Sequence, residues 1–338
     1  FNVLARIPGQ CREHRVVFEA HLDTVSALGM SVAPFEPHLE NGKLIGRGAC
    51  DTKGGLAAMM TALVGLKRDS ITPPCEIILA ATVDEEFSYQ GVLALCDGLG
   101  ELNTEGEEGG APLTAQLAVV AEPTELQLVA ASKGVLRWQI ETIGRAAHSS
   151  KPHLGSNAIV AMAAVIQALE ADATELSRLQ HPLLGSPTLS IGVIRGGTQV
   201  NIVPDHCSIE IDRRLLPTEN WRDVFDSYQA LVDDLMRANP GMRVKMHPPM
   251  LTDLPLDASQ NRCLLDRLSA ILESLNLQSK PIGVSFGSDA SKLAAIGIPS
   301  VILGPGSIDQ AHSADEFIEC EQVVLASEIY RRMMTAQW

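Results

Sequence analysis

No apolar stretch in these 338 residues approaches the roughly 20 needed to cross a bilayer, so no membrane span is expected. There is no basic excess either. Lys and Arg number 26 against 41 Asp and Glu, and the net charge of -15 repels phosphate backbones and anionic lipid alike. Nucleic acid and membrane surfaces are therefore not the expected partners. The seven cysteines run from Cys11 to Cys320 without one Cys-x-x-Cys, which argues against a disulfide framework or a thiolate zinc site and suits a reducing cytoplasm. Phe1 to Pro8 carries neither a basic n-region nor an apolar h-region, so no signal peptide is visible. No Gly-x-Gly-x-x-Gly opens a βαβ unit and no Gly-x-x-x-x-Gly-Lys-Ser/Thr occurs, which sets a nucleotide-binding α/β protein aside. With 46% hydrophobic and 20% charged residues, the chain reads as globular, with length for one or two domains.

Periodicity supplies the organisation. Apolar runs at Arg15 to Ala20, Glu76 to Val83, Gln116 to Ala121 and Ile298 to Leu303 are expected strands, with helices at Gly55 to Leu66 and Glu321 to Met334. Runs this apolar suit strands covered on both faces, as in a mostly parallel sheet between helices. The middle differs. Strand Val135 to Thr142, helix Asn157 to Leu169, strands Thr188 to Arg195 and Asp205 to Leu215, helix Trp221 to Asn239 and strand Met242 to Met246 follow the β-α-β-β-α-β order of a ferredoxin-like α+β domain. Met246 to Pro249 reads as a linker back. The expectation is a discontinuous α/β domain, 1–133 and 248–338, with a second domain, 134–247, inserted into it. The acidic, Gly-rich stretch Glu101 to Gly110 reads as an exposed loop.

Acids and histidines stand immediately after the expected strands, where open α/β sheets build their ligand crevice. His21-Leu22-Asp23 pairs an imidazole with a carboxylate able to hold its second ring nitrogen. Asp51, opening the helix after Gly48-Ala49-Cys50, reads on its own as an N-cap, although nearby glycines allow close backbone approach and a carboxylate can bridge two cations. Asp84-Glu85-Glu86 places adjacent acids at a strand end, costly unless cations or protons compensate. It suits a division in which one Glu binds metal and its neighbour takes a proton from activated water. Glu122 follows another strand, and His312 stands after Gly304-Pro305-Gly306. Together His21, Asp51, Glu86, Glu122 and His312 make a two-metal inventory with Asp51 bridging. Imidazole and carboxylate ligation suits zinc, with cobalt or manganese as alternatives.

The segments HLDTV, GRGACDTKGG, DEE, AEPT, GRAAHSS, QVNIVPD and GPGSIDQAH, in this order, resemble the acetylornithine deacetylase, succinyl-diaminopimelate desuccinylase and aminoacylase family of two-metal metallopeptidases over essentially the whole chain. The resemblance implies His21 and Glu122 on one ion, Glu86 and His312 on the other, and Asp51 between them. It further implies Asp23 as the partner of His21, Glu85 as general base, and a cis peptide at Asp51-Thr52. The inserted domain then acts as lid and homodimerisation domain, and His148 reaches the partner subunit's active site to stabilise the oxyanion. Asn201 matches a substrate-contacting Asn. Strand alternation puts Arg213 with Cys207, Ile209 and Ile211, and Arg214 with Ser208, Glu210 and Asp212. Arg214 is thus the better match to the family's carboxylate-binding Arg, with a salt bridge to an acid such as Glu210 as the alternative. Ser288, in Gly287-Ser288-Asp289-Ala290, resembles a substrate-side loop of several branches. The remaining histidines, His14, His38, His153, His181, His206 and His247, match no ligand position.

The expected reaction is metal-assisted hydrolysis of an N-acyl amino acid. Gly304 to His312 and Ala121 to Thr124 look most like the acetylornithine deacetylase branch, which favours an N-acetyl group. A succinyl-diaminopimelate or dipeptide substrate is the runner-up, and a catalytically silent binding module is the alternative of a different class.

Overall fold

The structure, a computed structural model, describes residues 1–102 and 114–338. Most of the stretch expected as an acidic loop lies outside them; its first two residues end the helix Gln90–Leu102. The chain forms two compact units: Phe1–Ala131 with Leu256–Gly283 and Ser288–Trp338, and Ser132–Pro255 with Val284–Gly287.

In the first unit, Cys75–Thr82, Cys11–His21, Thr114–Val120 and Ser300–Ile302 lie side by side in that order and run parallel. Val3–Ile7 adds antiparallel on one side, and Val129–Ser132 pairs antiparallel on the other. The parallel strands are buried on both faces: Val16, Val17, Phe18 and Ala20 have no exposed surface, and neither do Leu117, Ala118 and Val119. Each large apolar side chain so buried contributes about 1.5–3 kcal/mol. Helices Gly54–Arg68 and Cys320–Thr335 pack on each other and on this sheet, as do Gln90–Leu102 and Ala290–Ala295. Tyr330 meets Phe18 edge to face at 5.9 Å and donates to the Leu303 carbonyl at 2.7 Å, so the sheet and the last helix are joined by both packing and a buried hydrogen bond.

Because the four strands run the same way, His21, Val83, Ala121 and Leu303 all emerge from one edge. A small antiparallel sheet of His38–Glu40, Lys43–Ile45 and Phe317–Glu319 then brings the turn after Ile45 beside the segment that follows His312.

In the second unit the antiparallel sheet has the order Thr188–Gly196, His206–Leu215, Gly134–Ile143, Val244–Met246. Its helices are Ala158–Leu176 and Trp221–Ala238, entered through Asn157 and Asn220, whose side chains accept from first-turn amides. Trp138 lies against Tyr228 and Phe225 in its core. After Met246, where a linker is expected, the chain adds Leu251–Asp253 alongside Val135–Arg137 and stays with this unit to Pro255.

Candidate metal centre

Four strand ends supply the side chains. His21 closes its strand and is 1% exposed, with Nε2 2.9 Å from Asp51 Oδ1. Its Nδ1 is 3.0 Å from the carbonyl of Asp23 and 3.7 Å from the carboxylate. The expected imidazole–carboxylate pairing thus runs chiefly through the backbone of Asp23. The Asp23 carboxylate instead accepts the amides of Glu85 and Glu86 at 3.2 and 3.1 Å, orienting the acidic turn after the next strand.

Asp51 is buried in an irregular turn, Ala49–Lys53, with a cis peptide to Thr52, so it is not a simple N-cap. Gly48 enters this turn at φ 78°, where a Cβ would also meet Thr24 Cγ2 at 2.7 Å. Asp51 Oδ2 lies 3.2 Å from His312 Nε2, and the same nitrogen is 3.3 Å from Glu86 Oε1. His312 has φ 62°, a left-handed conformation uncommon outside glycine. Two triads result, His21, Asp51 and Glu122, and Asp51, Glu86 and His312, each with ligand atoms within 4.8 Å of one another.

The charge balance explains what such a cage requires. Burial, with the Asp51 and Glu85 charges adding, holds Glu122 well above the usual carboxylate range. Burial likewise pushes Glu85 up to about 8, with His21 opposing and Asp289, Glu86 and Asp51 reinforcing. Against burial, hydrogen bonds to Asp23 and Asp51 raise the proton affinity of the His21 ring, while hydrogen bonds to Asp51 and Glu86 raise His312 to about 10. Asp51 is held down, burial notwithstanding, by both imidazoles. Crowded carboxylates converging with two imidazoles have the donor set and the charge demand of a divalent-cation site.

Comparison with known proteins is consistent with this geometry. Residues 17–336 match the model of peptidase family M20/M25/M40. The chain belongs to that family. Acetylornithine deacetylase of Proteus mirabilis is 32% identical over 292 residues, 85% of this chain and 69% of that one, and the Buchnera aphidicola protein of the same name is 28% identical over 324 residues, 94% and 80%. Among solved structures, a Staphylococcus aureus tripeptidase superposes with TM-score 0.75 at 23% identity, covering 99% of this chain and 85% of that one. An M20 family metallo-carboxypeptidase of Sulfolobus solfataricus gives 0.73 at 18%, covering 99% and 87%, and both show the shared fold. As an M20 family member the chain is a hydrolytic enzyme of a metal-dependent class, with a mixed α/β fold built on a largely parallel sheet.

The other expected residues lie as follows. Arg214 is half-buried and pairs with Asp212 at 2.7 Å, whereas Glu210 is taken by Arg195 at 3.0 Å. Arg213 is buried, as alternation requires, between Tyr228 and Glu219. His148 and Asn201 are exposed; His148 Nδ1 faces the Ser150 hydroxyl at 2.8 Å, and the Asn201 carbonyl accepts the amide of Ser149. Ser288 has no exposed surface, and its hydroxyl accepts the amide of Ala290, an N-terminal turn contact rather than an open binding position.

Sequence reasoning missed several groups. Lys53 Nζ donates to the carbonyl of Leu22 at 2.6 Å. Beneath the site, Thr82 donates to buried Glu19, and Asp289, which burial pushes up to about 6, lies 3.3 Å from the same hydroxyl. Glu316, fully buried, also escaped notice. Lys53 lies within the motif GRGACDTKGG and Asp289 within Gly287-Ser288-Asp289-Ala290, Glu19 stands near a strand end, and no local pattern marks Glu316.

Proposed function

We propose that the chain hydrolyses the amide bond of N-acyl amino acids, an N-acetyl amino acid of the acetylornithine type being the best reading, with two divalent cations. The observation that carries it is the carboxylate of Asp51 set between His21 at 2.9 Å and His312 at 3.2 Å, with a further acid, Glu122 or Glu86, in each triad. His21, Asp51 and Glu122 would hold one cation and Asp51, Glu86 and His312 the other, zinc suiting the ligands best. Bound there, such cations acidify water and polarise an acyl carbonyl.

The chain's own residues do the rest. Glu85, its proton affinity raised by burial, takes the proton of the attacking water and delivers it to the departing amine. Asp23 fixes the backbone of Glu85 and Glu86 while its carbonyl sets which nitrogen of His21 faces Asp51. The motif matches assign Arg214 to a substrate carboxylate, Asn201 to substrate contact and His148 to the oxyanion of the partner copy in a homodimer. The cysteine usage assigns the activity to the cytoplasm.

Elemental analysis paired with a panel of N-acetylornithine, N-succinyl-diaminopimelate and simple dipeptides tests the proposal. Bound metal and a preference for the acetylated amino acid are expected. A metal-loaded protein that hydrolyses none of the panel refutes it, and preference for either other substrate corrects the acyl group. Mixing His148→Ala subunits with Glu85→Gln subunits tests the shared site, since only heterodimers then contain one complete set.

A further inference from the structure

Glu316 has no exposed surface, and its carboxylate is not among the converging ligand atoms of either triad. Its Oε1 accepts the amides of Cys50 at 2.9 Å and Asp51 at 3.1 Å, and its Oε2 accepts the amide of Gly48 at 3.0 Å and Nη1 of Arg47 at 2.7 Å. Four donors occupy the roughly four lone-pair positions of a carboxylate, which leaves none for a cation. The amides it receives belong to a turn without regular helical geometry, Asp51 itself lying at φ -118°, ψ 94°, so they lack intrahelical acceptors. Arg47 is almost fully buried and reaches with Nη2 to the carbonyl of Ser313 at 3.2 Å, the residue next to His312. The pairing of Phe317 with Ile45 and the packing of Ala49 and Cys50 on Ile318 lock the two segments on either side of these bonds.

We propose that Glu316 is the positioning residue of the metal centre. Its carboxylate fixes the turn that carries Asp51, and through Arg47 and Ser313 it fixes the distance from that turn to His312. The inference rests on the metal-centre reading and adds to it a residue that touches no cation. Carboxylates behind a metal ligand are commonly worth about 10–100-fold in metal affinity, and this one holds the ligand's own backbone.

The test is titration of metal-free wild type, Glu316→Gln and Arg47→Lys with zinc by calorimetry and with cobalt by absorption, alongside the melting temperature of each metal-free protein. Glu316→Gln turns an amide donor toward Gly48 and Arg47, and an affinity loss of about 10–100-fold is expected for both ions, because both share Asp51. Arg47→Lys keeps the buried charge but loses the second bond to Ser313, so a smaller loss is expected, confined to the site that includes His312. If Glu316→Gln does not fold, Arg47→Lys decides. Affinities within about threefold of wild type in the folded variants, however far melting falls, overturn the inference and leave Glu316 a purely structural residue. A wild type that takes up no cation overturns the metal-centre reading and this inference together.

Discussion

Among the described residues, two clusters join histidines to carboxylates, and one of the two has the makings of a cation site. In the first unit, His21, Asp51 and Glu86 are 2%, 8% and 13% exposed at the side chain, His312 is 52% exposed, and acids outnumber imidazoles. In the second unit, Glu141 accepts a hydrogen bond from His247 at 3.0 Å and lies 2.8 Å from His206 Nε2 as an ion pair, with His206 53% exposed. There one carboxylate is answered by two rings, water reaches all three, and no further acid converges among the described residues. Residue types are the same. What separates the clusters is the number of acids gathered and the burial of those acids, the condition under which binding a cation repays desolvating the ligands.

Removing the central charge gives the largest expected effect. Asp51→Asn deprives both triads of their shared carboxylate, and loss of bound metal with loss of turnover by several powers of ten is expected, measured by elemental analysis and kcat. His206→Ala and His247→Ala should leave metal content and kcat unchanged. If Asp51→Asn keeps its metal, or the surface histidines are needed for it, the contrast is broken. Glu85→Gln sharpens it from inside: the metal content stays and kcat falls by about 10²–10⁴, the usual worth of a proton-transferring group. Turnover within about tenfold of wild type in that variant removes Glu85 from the mechanism.

The same contrast governs what the sequence could reveal. The parallel strands were legible because burial on both faces leaves continuous apolar runs such as Val16-Val17-Phe18, and their observed ends fall within a few residues of the expected ones. Val3–Ile7 was not, since four of its five residues are exposed and it shows no alternation. Of the residues that converge in the two triads, His21, Glu86, Glu122 and His312 were legible because each follows a strand, whereas Asp51, in the turn that opens a helix, reads locally as an N-cap. Glu316 sits in the polar run Ala314-Asp315-Glu316, and its donors at 48, 50 and 51 are more than 260 positions away, so nothing local distinguishes it from a solvated acid. Alternation correctly separated Arg213 from Arg214, but the partner of Arg214 is decided across strands. Arg195, on the neighbouring strand, lies opposite Ser208 and diagonal to Glu210, which it claims, while Asp212 takes both Arg214 and Arg137, which stands directly opposite it on the other side.

Stripping the metal should have an intermediate effect. A cation bound only by the folded chain stabilises it by mass action, about 2.7 kcal/mol at 100 times Kd and about 4.1 kcal/mol at 1,000 times, so chelation should lower the melting temperature by several degrees. The drop should be the same in Glu141→Gln as in wild type, and should vanish in Asp51→Asn.

The smallest effect belongs to the exposed cluster, where the sign can be fixed in advance. The hydrogen bond from His247, opposed by slight burial and helped by the charge of His206, holds the Glu141 carboxyl below its ordinary 4.5. A carboxyl depressed by folding binds its proton more tightly in the unfolded chain, so its contribution is present above about pH 4.5 and is lost as pH falls through the folded value. Exposure screens the pair, which limits that contribution to under about 1 kcal/mol. Denaturant midpoints of wild type and Glu141→Gln should therefore differ slightly at pH 6 and converge on acidification, with metal content equal throughout. A difference that grows toward low pH, or a variant that loses metal, would show that water screens this cluster less than its exposure indicates, and that burial is not what divides the two.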